Sequence, residues 1–574
     1  MAGAEVTDQP SGLRKWVPGI GVVRDYDRAW VRPDLVAGLV LAAILVPQGM
    51  AYAELAGLPP VTGLYTSIAC LVGYAIFGPS RVLVLGPDSS VSPLIFAAIT
   101  PLLVTNDPGS AIALAGMLAL LVGLIEIGLG LGKLGFVADL LSSEVQVGYM
   151  NGLAITIIVG QLPKLCGFST DADGFVDELR AWFEHLDATK GAALAVGLGV
   201  LLVLLVLPRF LPKIPAVLIA VAGATILSAV LDLAAHGVAT VGTLPQGFPA
   251  PSMPWTSFSD VGPLLLAAIG IVLVSLTDTI ATASAFAARR GDELQPNQEM
   301  IGIGAANVAA GFFQGFAVST SGSRTAVAEQ SGAKSQLTGV VGAGLVAVLL
   351  LFFNSLLADL PQSALAGVVI AAALSLMNFS ALRKYWSVRK SSFLLSIVAT
   401  LGVVALGVLE GIVVAIFLAV LMFFKRNWWP HGAVLGRTDD SEGWHDIESL
   451  PGAQEEPGVV VYRWEAPLFF ANAGTFRQAI RRMVKARQPR WIVLQCEAIT
   501  DIDVTAAEVL EQLDNELNAA GIHLAFVEMR SRIQDLAGRH GLYDTLDRDH
   551  FYDTIDEAFA AIRDEDAGTD PAAE

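Results

Sequence analysis

Three groups of residues in this chain are of a kind that handles charge, and each lies in apolar surroundings. Gly86-Pro87-Asp88-Ser89-Ser90 breaks the run VLVLGPDSSVSPLIF at residues 82–96. Ser319-Thr320-Ser321-Gly322-Ser323-Arg324 breaks FAVSTSGSRTAVAEQ at 316–330. Asp278 sits in SLTDTIATASAF, inside an apolar stretch at 261–287. The chemistry these types suit is the holding of an anion. A helix that starts in mid-membrane leaves its first N–H groups unpaired, and together they act as a partial positive charge. Two such starts facing one another form an anion receptacle. Pro87 suits a first helical turn, where its missing N–H costs little. Gly86 and Gly322 allow close backbone approach, and Arg324 adds a planar donor fork matched to an oxyanion. The bland alternative is a kink whose polar groups are satisfied by neighbours. The matched pair of breaks, with an arginine in the second, favours a site.

The two carboxyls have their own readings. A carboxyl that gains and loses a proton beside an anion site is a natural coupling element, because protonation cancels charge as the anion loads. Asp278 fits that role; its alternative is a structural carboxyl paired with Arg324 or with hydroxyls. Asp88 would repel an anion if ionised and donate a hydrogen bond if protonated. It also fits a plain helix cap, accepting from its own first-turn amides.

The elements that must position these residues are membrane spans. Of 574 residues, 54% are hydrophobic and 16% charged, and the mean hydropathy is +0.60. That composition excludes an ordinary soluble protein. About fourteen hydrophobic segments run from residue 34 to 424, among them 111–131, 190–207, 215–234, 261–287, 336–357 and 392–409. The first thirty residues are polar and mixed in charge, so no cleavable leader is expected. With a cytoplasmic N-terminus, the inside loops hold Arg81, Lys133, Arg209 with Lys213, Arg289 with Arg290, Lys334, Arg383-Lys384, Arg389-Lys390 and Lys425-Arg426. The outside loops are poor in basic residues, and the longest is acidic at Asp171, Asp173, Asp177, Glu178, Glu184 and Asp187. This pattern predicts an even number of spans with both termini cytoplasmic. The two breaks occupy corresponding places in two halves of seven segments, and an odd number per half makes the halves inverted.

A second body begins after Lys425-Arg426-Asn427-Trp428-Trp429. Residues 431–574 carry 28 acidic and 13 basic side chains, −15 of the total −19. Acidity of this degree does not suit nucleic acid. Strand patterns at 459–464, 491–497 and 522–529 alternate with helix patterns at 474–487, 504–520, 531–540 and 556–562, which predicts a small α/β domain. The expected domains are an N-terminal segment at 1–30, a transmembrane body at 31–426, a linker at 427–456, the α/β domain at 457–563 and a polar, disordered tail at 564–574.

Several motifs carry a family resemblance. PQGMAYAELAGLPPVTGLYTS (47–67) followed by LVLGPDSS, PNQEMIGIGAANVAAGFF (296–313) and SGSRTAVAEQSGAKSQLTG (321–339) resemble the signature of the sulfate permease (SulP) family of anion transporters. The C-terminal body resembles a STAS domain. The resemblance implies an all-α membrane domain of the uracil-permease type. It has fourteen segments in a seven-plus-seven inverted repeat, with a core of segments 1–4 and 8–11 and a gate of 5–7 and 12–14. It also implies substrate between the third and tenth segments, elevator-like transport and a homodimer. By residue, Gln48 and Tyr52 match positions facing the substrate, and Ser323 and Arg324 match the pair that opens segment 10. Asp278 matches the acidic position tied to cation coupling. Asp88 stands where many relatives have an aromatic or aliphatic residue. The expected site is therefore Gln48, Tyr52, Gly86, Pro87, Asp88, Ser89, Gly322, Ser323 and Arg324, with Asp278 and Asp88 for coupling. In the STAS-like body, the resemblance sets Val504, in Asp503-Val504-Thr505-Ala506, where the antagonist proteins with this domain carry the serine that is phosphorylated. Assembly is thus expected rather than phosphoswitching, with Thr505 capping the following helix.

Other polar residues have blander expected uses. Glu54 is a helix-end carboxylate or a second proton site, Glu126 and Glu144 are interfacial, and Glu410 is exposed. Cys70, Cys166 and Cys496 are too scattered for a disulfide framework or a metal site. No phosphate-cradling loop is present, which counts against ATP-driven transport, and no motif supports an enzyme. The expected function is a secondary transporter in a bacterial inner membrane that imports a small oxyanion, sulfate first, with H+. It needs no cofactor. The alternatives are a Na+-coupled bicarbonate or C4-dicarboxylate transporter, a passive anion channel, or a STAS-based sensor.

Overall fold

A computed structural model describes residues 16–103, 107–135, 142–170, 172, 174–211, 215–438, 441–450, 452–544, 546 and 550–568. Lys213, Asp171, Asp173 and the last six residues of the expected tail lie outside them, as do residues 1–15 of the N-terminal segment. Contacts divide the chain into two units, Met1–Ala419 and Val420–Glu574.

The first unit opens with a short helix α1 (Pro18–Arg24), followed by α2 (Val31–Leu55) and α3 (Pro60–Phe77). The first broken segment is β1 (Leu85–Gly86) and α4 (Ser92–Ile99). Next come α5 (Pro108–Leu131), α6 (Ser143–Cys166), an amphipathic α7 (Phe175–Glu184), α8 (Gly191–Phe210) and α9 (Ala216–Leu231). The second half repeats the plan. It comprises α10 (Phe258–Arg290), α11 (Pro296–Phe312), the broken β2 (Ser319–Thr320) with α12 (Gly322–Gln330), and α13 (Leu337–Phe352). Then follow α14 (Gln362–Leu376), an amphipathic α15 (Phe379–Val388), α16 (Lys390–Leu406) and α17 (Val408–Trp428). Among the described residues, seven helices are long and apolar enough to cross a membrane, and five shorter helices are also apolar.

Packing follows the repeat. α5 lies on α11 and α3 on α13; α2 lies on α13 and α10 on α5; α6 lies on α16 and α14 on α8. In each case the second pair is the first displaced by seven segments. The pairs α3 with α11, α6 with α14 and β1 with β2 map onto themselves, as an inverted repeat requires. The helices thus form two bundles, one from α2–α5 and α10–α13, the other built around α6, α8, α9, α14 and α16. Small residues allow the tightest approach. A Cβ on Gly123 of α5 would come 2.5 Å from the carbonyl of Gly304 on α11, and one on Gly304 would come 2.7 Å from the carbonyl of Gly123.

One buried carboxylate ties the first bundle together. Asp34, fully buried near the start of α2, accepts from Lys334 N (2.7 Å), Ser335 N (3.2 Å), Ser335 Oγ (2.7 Å), Thr338 Oγ1 (3.0 Å) and Tyr26 Oη (3.0 Å). It therefore satisfies the amides of the chain just before α13 and holds Ser335, whose Oγ accepts from the first amide of the helix, Leu337 N, at 3.2 Å. Asp34→Ala strands these donors, at a cost of about 3–4 kcal/mol. Thermal unfolding of the purified protein should fall accordingly, and Asp34→Asn, which keeps one acceptor, should fall less. Unchanged melting of the alanine variant would show that the cluster carries no stability.

The second unit is a six-stranded sheet. Its strands are β3 (Gly432–Thr438), β4 (Ser441–Asp446), β5 (Val459–Trp464), β6 (Trp491–Gln495), β7 (His523–Val527) and β8 (Phe551–Tyr552), in the order β4-β3-β5-β6-β7-β8. β5 to β8 run parallel, and β3 is antiparallel to both its neighbours. Alternate residues of β5 serve opposite faces: Val460, Tyr462 and Trp464 pack with Phe476 and Leu510, whereas Val459 and Val461 pack with Phe559. The helices are α18 (Ala473–Arg487), α19 (Val504–Ala519), α20 (Ser531–Arg539) and α21 (Ile555–Gly568). Three expectations need correction. Residues 432–446 of the expected linker form two strands. Residues 564–568 of the expected tail continue α21. Asp503, not Thr505, caps α19, accepting from Ala506 N at 2.8 Å. An aspartate is already in place one residue before the helix, which leaves Thr505 no capping task.

Candidate functional site

The two broken segments meet through their backbones. Leu85 pairs with Thr320 and Gly86 with Ser319, antiparallel, and Ser321 N donates to Val84 O at 3.1 Å. This ladder satisfies polar backbone that hydrocarbon would leave stranded. It opens beside a cavity of about 830 Å³ in the first unit. One wall is polar: Gln48 and Tyr52 from α2, Asp88 and Ser89 after β1, Asp278 and Thr282 from α10, and Thr320 to Ser323 at the start of α12. The opposite wall is mostly apolar: Val147 and Met150 from α6, Leu204 and Pro208 from α8, Ala216 and Val217 from α9, and Val368, Ala371, Ala372 and Leu376 from α14. The walls come from different bundles.

The two breaks are not equivalent. α12 starts on the cavity, with Ser321 as its cap accepting from Arg324 N at 3.4 Å. Its first amides, at Gly322 and Ser323, belong to lining residues and have no intrahelical acceptor. The other helix begins later than the sequence suggests. α4 starts at Ser92 with Pro93 in its first turn, so Pro87 lies in the extended approach. Asp88 Oδ2 accepts from Ser90 N (3.0 Å) and Ser90 Oγ (2.7 Å). A carboxylate therefore occupies the place where an anion would have met this break. The expected receptacle of two helix starts is a single start with an acid opposite.

Arg324 also departs from expectation. It is only 1% exposed and does not line the cavity. Its Nη1 donates to Pro87 O at 2.7 Å, and its Nη2 lies 3.8 Å from Asp88 Oδ1. The guanidinium lies against Gly86, where a Cβ would come 3.2 Å from Nη1. Gly86, Pro87 and Arg324 thus form a layer behind the cavity, in which arginine ties one broken segment to the other. Its Nε and Nη2 have no hydrogen-bond acceptor among the described residues. The cation acts on the cavity through its charge.

Asp278 faces the cavity and accepts from Gln146 Nε2 at 3.2 Å, a bond that joins the two bundles. Ser90 also reaches Asp278, and Asp88 is the charged residue that acts on it. Ser90 thus stands between two carboxyls with one hydroxyl proton to give, and gives it to Asp88. Tyr52 is 4% exposed and its hydroxyl reaches Ser89. Thr279 and Thr320 share a hydroxyl contact at 2.9 Å.

Gln48, Tyr52, Asp88, Ser89, Asp278, Gly322 and Ser323 are therefore brought together, while Gly86, Pro87 and Arg324 support them from behind. Gln146 and Ser90 were missed. Gln146 is a polar residue inside an apolar span, and Ser90 stands two after an aspartate, the spacing of an Asx turn. Glu54 is half-buried outside the lining. Glu144 is half-buried and accepts from Ser392 Oγ at 3.0 Å, and Glu410 is exposed. Glu126 is fully buried rather than interfacial, because α5 turns it toward α10 and α11.

Comparison with known proteins agrees with this architecture. The model of the sulfate permease family matches residues 31–399, and that of the STAS domain matches 451–558. The "Probable sulfate transporter MT1781" of Mycobacterium tuberculosis (strain CDC 1551 / Oshkosh) is 40% identical over 550 residues, covering 96% of this chain and 98% of its own. Two solved structures share the fold. The murine Slc26a9 anion transporter in the inward-facing state superposes with a TM-score of 0.88 at 23% identity, over 98% of this chain and 97% of its own. The transmembrane domain of the cyanobacterium bicarbonate transporter BicA does so at 0.60 and 23% identity, over 69% of this chain and 98% of its own. With a family model that spans most of the helical unit and a relative this similar along nearly its whole length, the chain belongs to the sulfate permease family.

Proposed function

We propose that this protein is a secondary active transporter that imports a small oxyanion, sulfate first, together with protons. The observation that carries the proposal is the two-walled cavity. Both carboxyls and most of the hydroxyls and free amides sit on one bundle, and the facing bundle adds only Gln146, Ser375 and Asn378 to a mostly apolar surface. A polar wall that slides along an apolar one can carry its cargo across without breaking cargo contacts. The first bundle is then the moving body, and the Gln146–Asp278 bond is broken and remade as it moves. The oxyanion rests on the first amides of α12 and the hydroxyls of Ser323, Ser89 and Tyr52. Asp278 takes a proton as the anion loads and releases it inside. The name of the relative from M. tuberculosis supports sulfate. The chain works as a homodimer in a bacterial inner membrane with both termini cytoplasmic, in line with the distribution of basic loops.

The test is uptake of radiolabelled sulfate into proteoliposomes under an inward proton gradient, an inward sodium gradient, or neither. Accumulation above the external concentration with the proton gradient alone is the expected result. Sodium-driven uptake competed by bicarbonate would move the reading to a Na+-coupled bicarbonate transporter. Competition by C4-dicarboxylates would change the cargo. Currents far beyond a transporter's turnover would replace it with a channel, and binding without flux with a sensor.

A further inference from the structure

Glu126 lies in the last third of α5, outside the cavity lining and 0% exposed. Ser275 Oγ donates to its Oε1 at 2.5 Å, and Asn307 Nδ2 donates to its Oε2 at 2.8 Å. Both partners are themselves fully buried. Ser275 is one helical turn before Asp278 on α10. Asn307, on α11, uses its own Oδ1 to accept from Val318 N at 2.8 Å, one residue before β2. One carboxylate therefore reaches both halves of the polar wall, α10 directly and β2 through Asn307. A second tie between the same elements is the Thr279–Thr320 contact at 2.9 Å. One tie leaves a pivot; two ties on the same helix fix the rotation of β2 about α10.

From this geometry we infer that Glu126 is a positioning residue for transport: with Asn307 it locks β2 and the start of α12 to the helix that carries Asp278, so the anion and proton positions travel as one unit. The inference rests on the proposed transport, and it says why the cargo contacts survive movement. It needs an acceptor at Glu126 facing a donor at Asn307, and Asn307 must keep an acceptor for Val318 N. A titrating proton on Glu126 is not required. If Glu126 became an amide, its oxygen would still take the Asn307 N–H. Its NH2 would then donate to Ser275 Oγ, whose own proton can turn to Val272 O, 3.3 Å away.

The test is a swap. Glu126→Gln should transport with a KM within about 3-fold of wild type and an unchanged pH profile. Asn307→Asp sets two carboxyls face to face, and should raise KM by about 30-fold while the maximal rate falls much less. The double variant Glu126→Gln with Asn307→Asp restores a donor facing an acceptor, so KM should return to within about 3-fold of wild type, the coupling expected of partners in one network. A site readout independent of cargo accompanies it. Ser323→Cys, introduced into wild type and each variant, is labelled with a water-soluble thiol reagent; the three native cysteines are buried. Its rate should change several-fold with Asn307→Asp and revert in the double variant. A double variant as impaired as Asn307→Asp in both readouts overturns the inference, and so does a shifted pH profile in Glu126→Gln, which would make Glu126 a proton carrier. If the wild type moves no anion, the transport reading alone fails, and the labelling rates decide the positioning role.

Discussion

Asp278→Asn is expected to abolish proton-driven accumulation of the anion while leaving anion exchange across the membrane largely intact. The reason is charge. Asp278 lines the cavity beside the start of α12, and the charged residue acting on it is Asp88, of its own sign. An ionised carboxylate about 5 Å from a bound monovalent anion opposes it by roughly 3 kcal/mol at an effective dielectric constant of about 20. That is about a hundredfold in affinity, and more for a divalent anion. Loading the anion and loading a proton on Asp278 therefore favour one another, and such linkage is reciprocal. Asparagine is the permanently neutral case. It accepts from Gln146 as the acid does, so the wall keeps its shape, but it carries no proton through the cycle. In proteoliposomes, uptake driven by a proton gradient should fall by at least about tenfold, and exchange of labelled for unlabelled anion should stay within a few-fold of wild type. Affinity should lose its dependence on pH in the range where the wild type shows one. Retained uphill uptake in Asp278→Asn would end the coupling role. Loss of both uphill uptake and exchange would make the residue a structural one.

Much of the fold was legible because membrane spans are written in long apolar runs, and the spans given bounds, at α5, α8, α9, α10, α13 and α16, end within about five residues of expectation. The pair of breaks was visible for the same reason: Gly, Pro and Ser stand out against Leu and Val. The pairing of β1 with β2 was not, since two residues per strand are too few to show a period. Nor was the start of α4, because Asp88, Ser90 and Ser92 all bond locally and delay the helix past Pro87. The burial of Glu126 escaped because α5 is apolar on every side, so no polar face told which way its one carboxylate points. The direction of Arg324 escaped because α12 is nine residues long and polar on several sides. β3 and β4 were read as linker since SEGWHD shows no alternation of apolar residues. In the site, types were readable and azimuths were not. Gly322 and Ser323 were placed on the cavity because they stand at a helix start, whereas Gln48, Tyr52 and Asp278 lie inside long helices and were placed by the family resemblance.

Arg324→Ala is expected to be as damaging as Asp278→Asn, for a different reason. The guanidinium does not line the cavity, yet it is the cation paired with Asp88, with its side chain 1% exposed against 14% for the acid. Removing it leaves Asp88 as an uncompensated carboxylate on the cavity wall, frees the carbonyl of Pro87, and opens a void against Gly86. Breaking a buried pair from one side costs about 3–5 kcal/mol, and here part of that cost falls on the anion, which then meets Asp88 without its counterion. Uptake should drop by about a hundredfold or more in protein that remains monodisperse in detergent. Arg324→Lys should recover part of it: the charge is kept, but an ammonium lacks the planar fork that spans Pro87 O and Asp88. The decisive variant is Arg324→Ala with Asp88→Asn. It removes both charges and restores the balance of the site, so anion binding should return toward wild type more than in either Arg324 variant alone. A direct ligand role for Arg324 predicts the opposite, since neutralising Asp88 cannot replace a lost donor. Sulfate affinity of the purified variants separates the two: recovery in the double variant makes Arg324 the counterion and brace of the broken segments, and no recovery makes it a ligand.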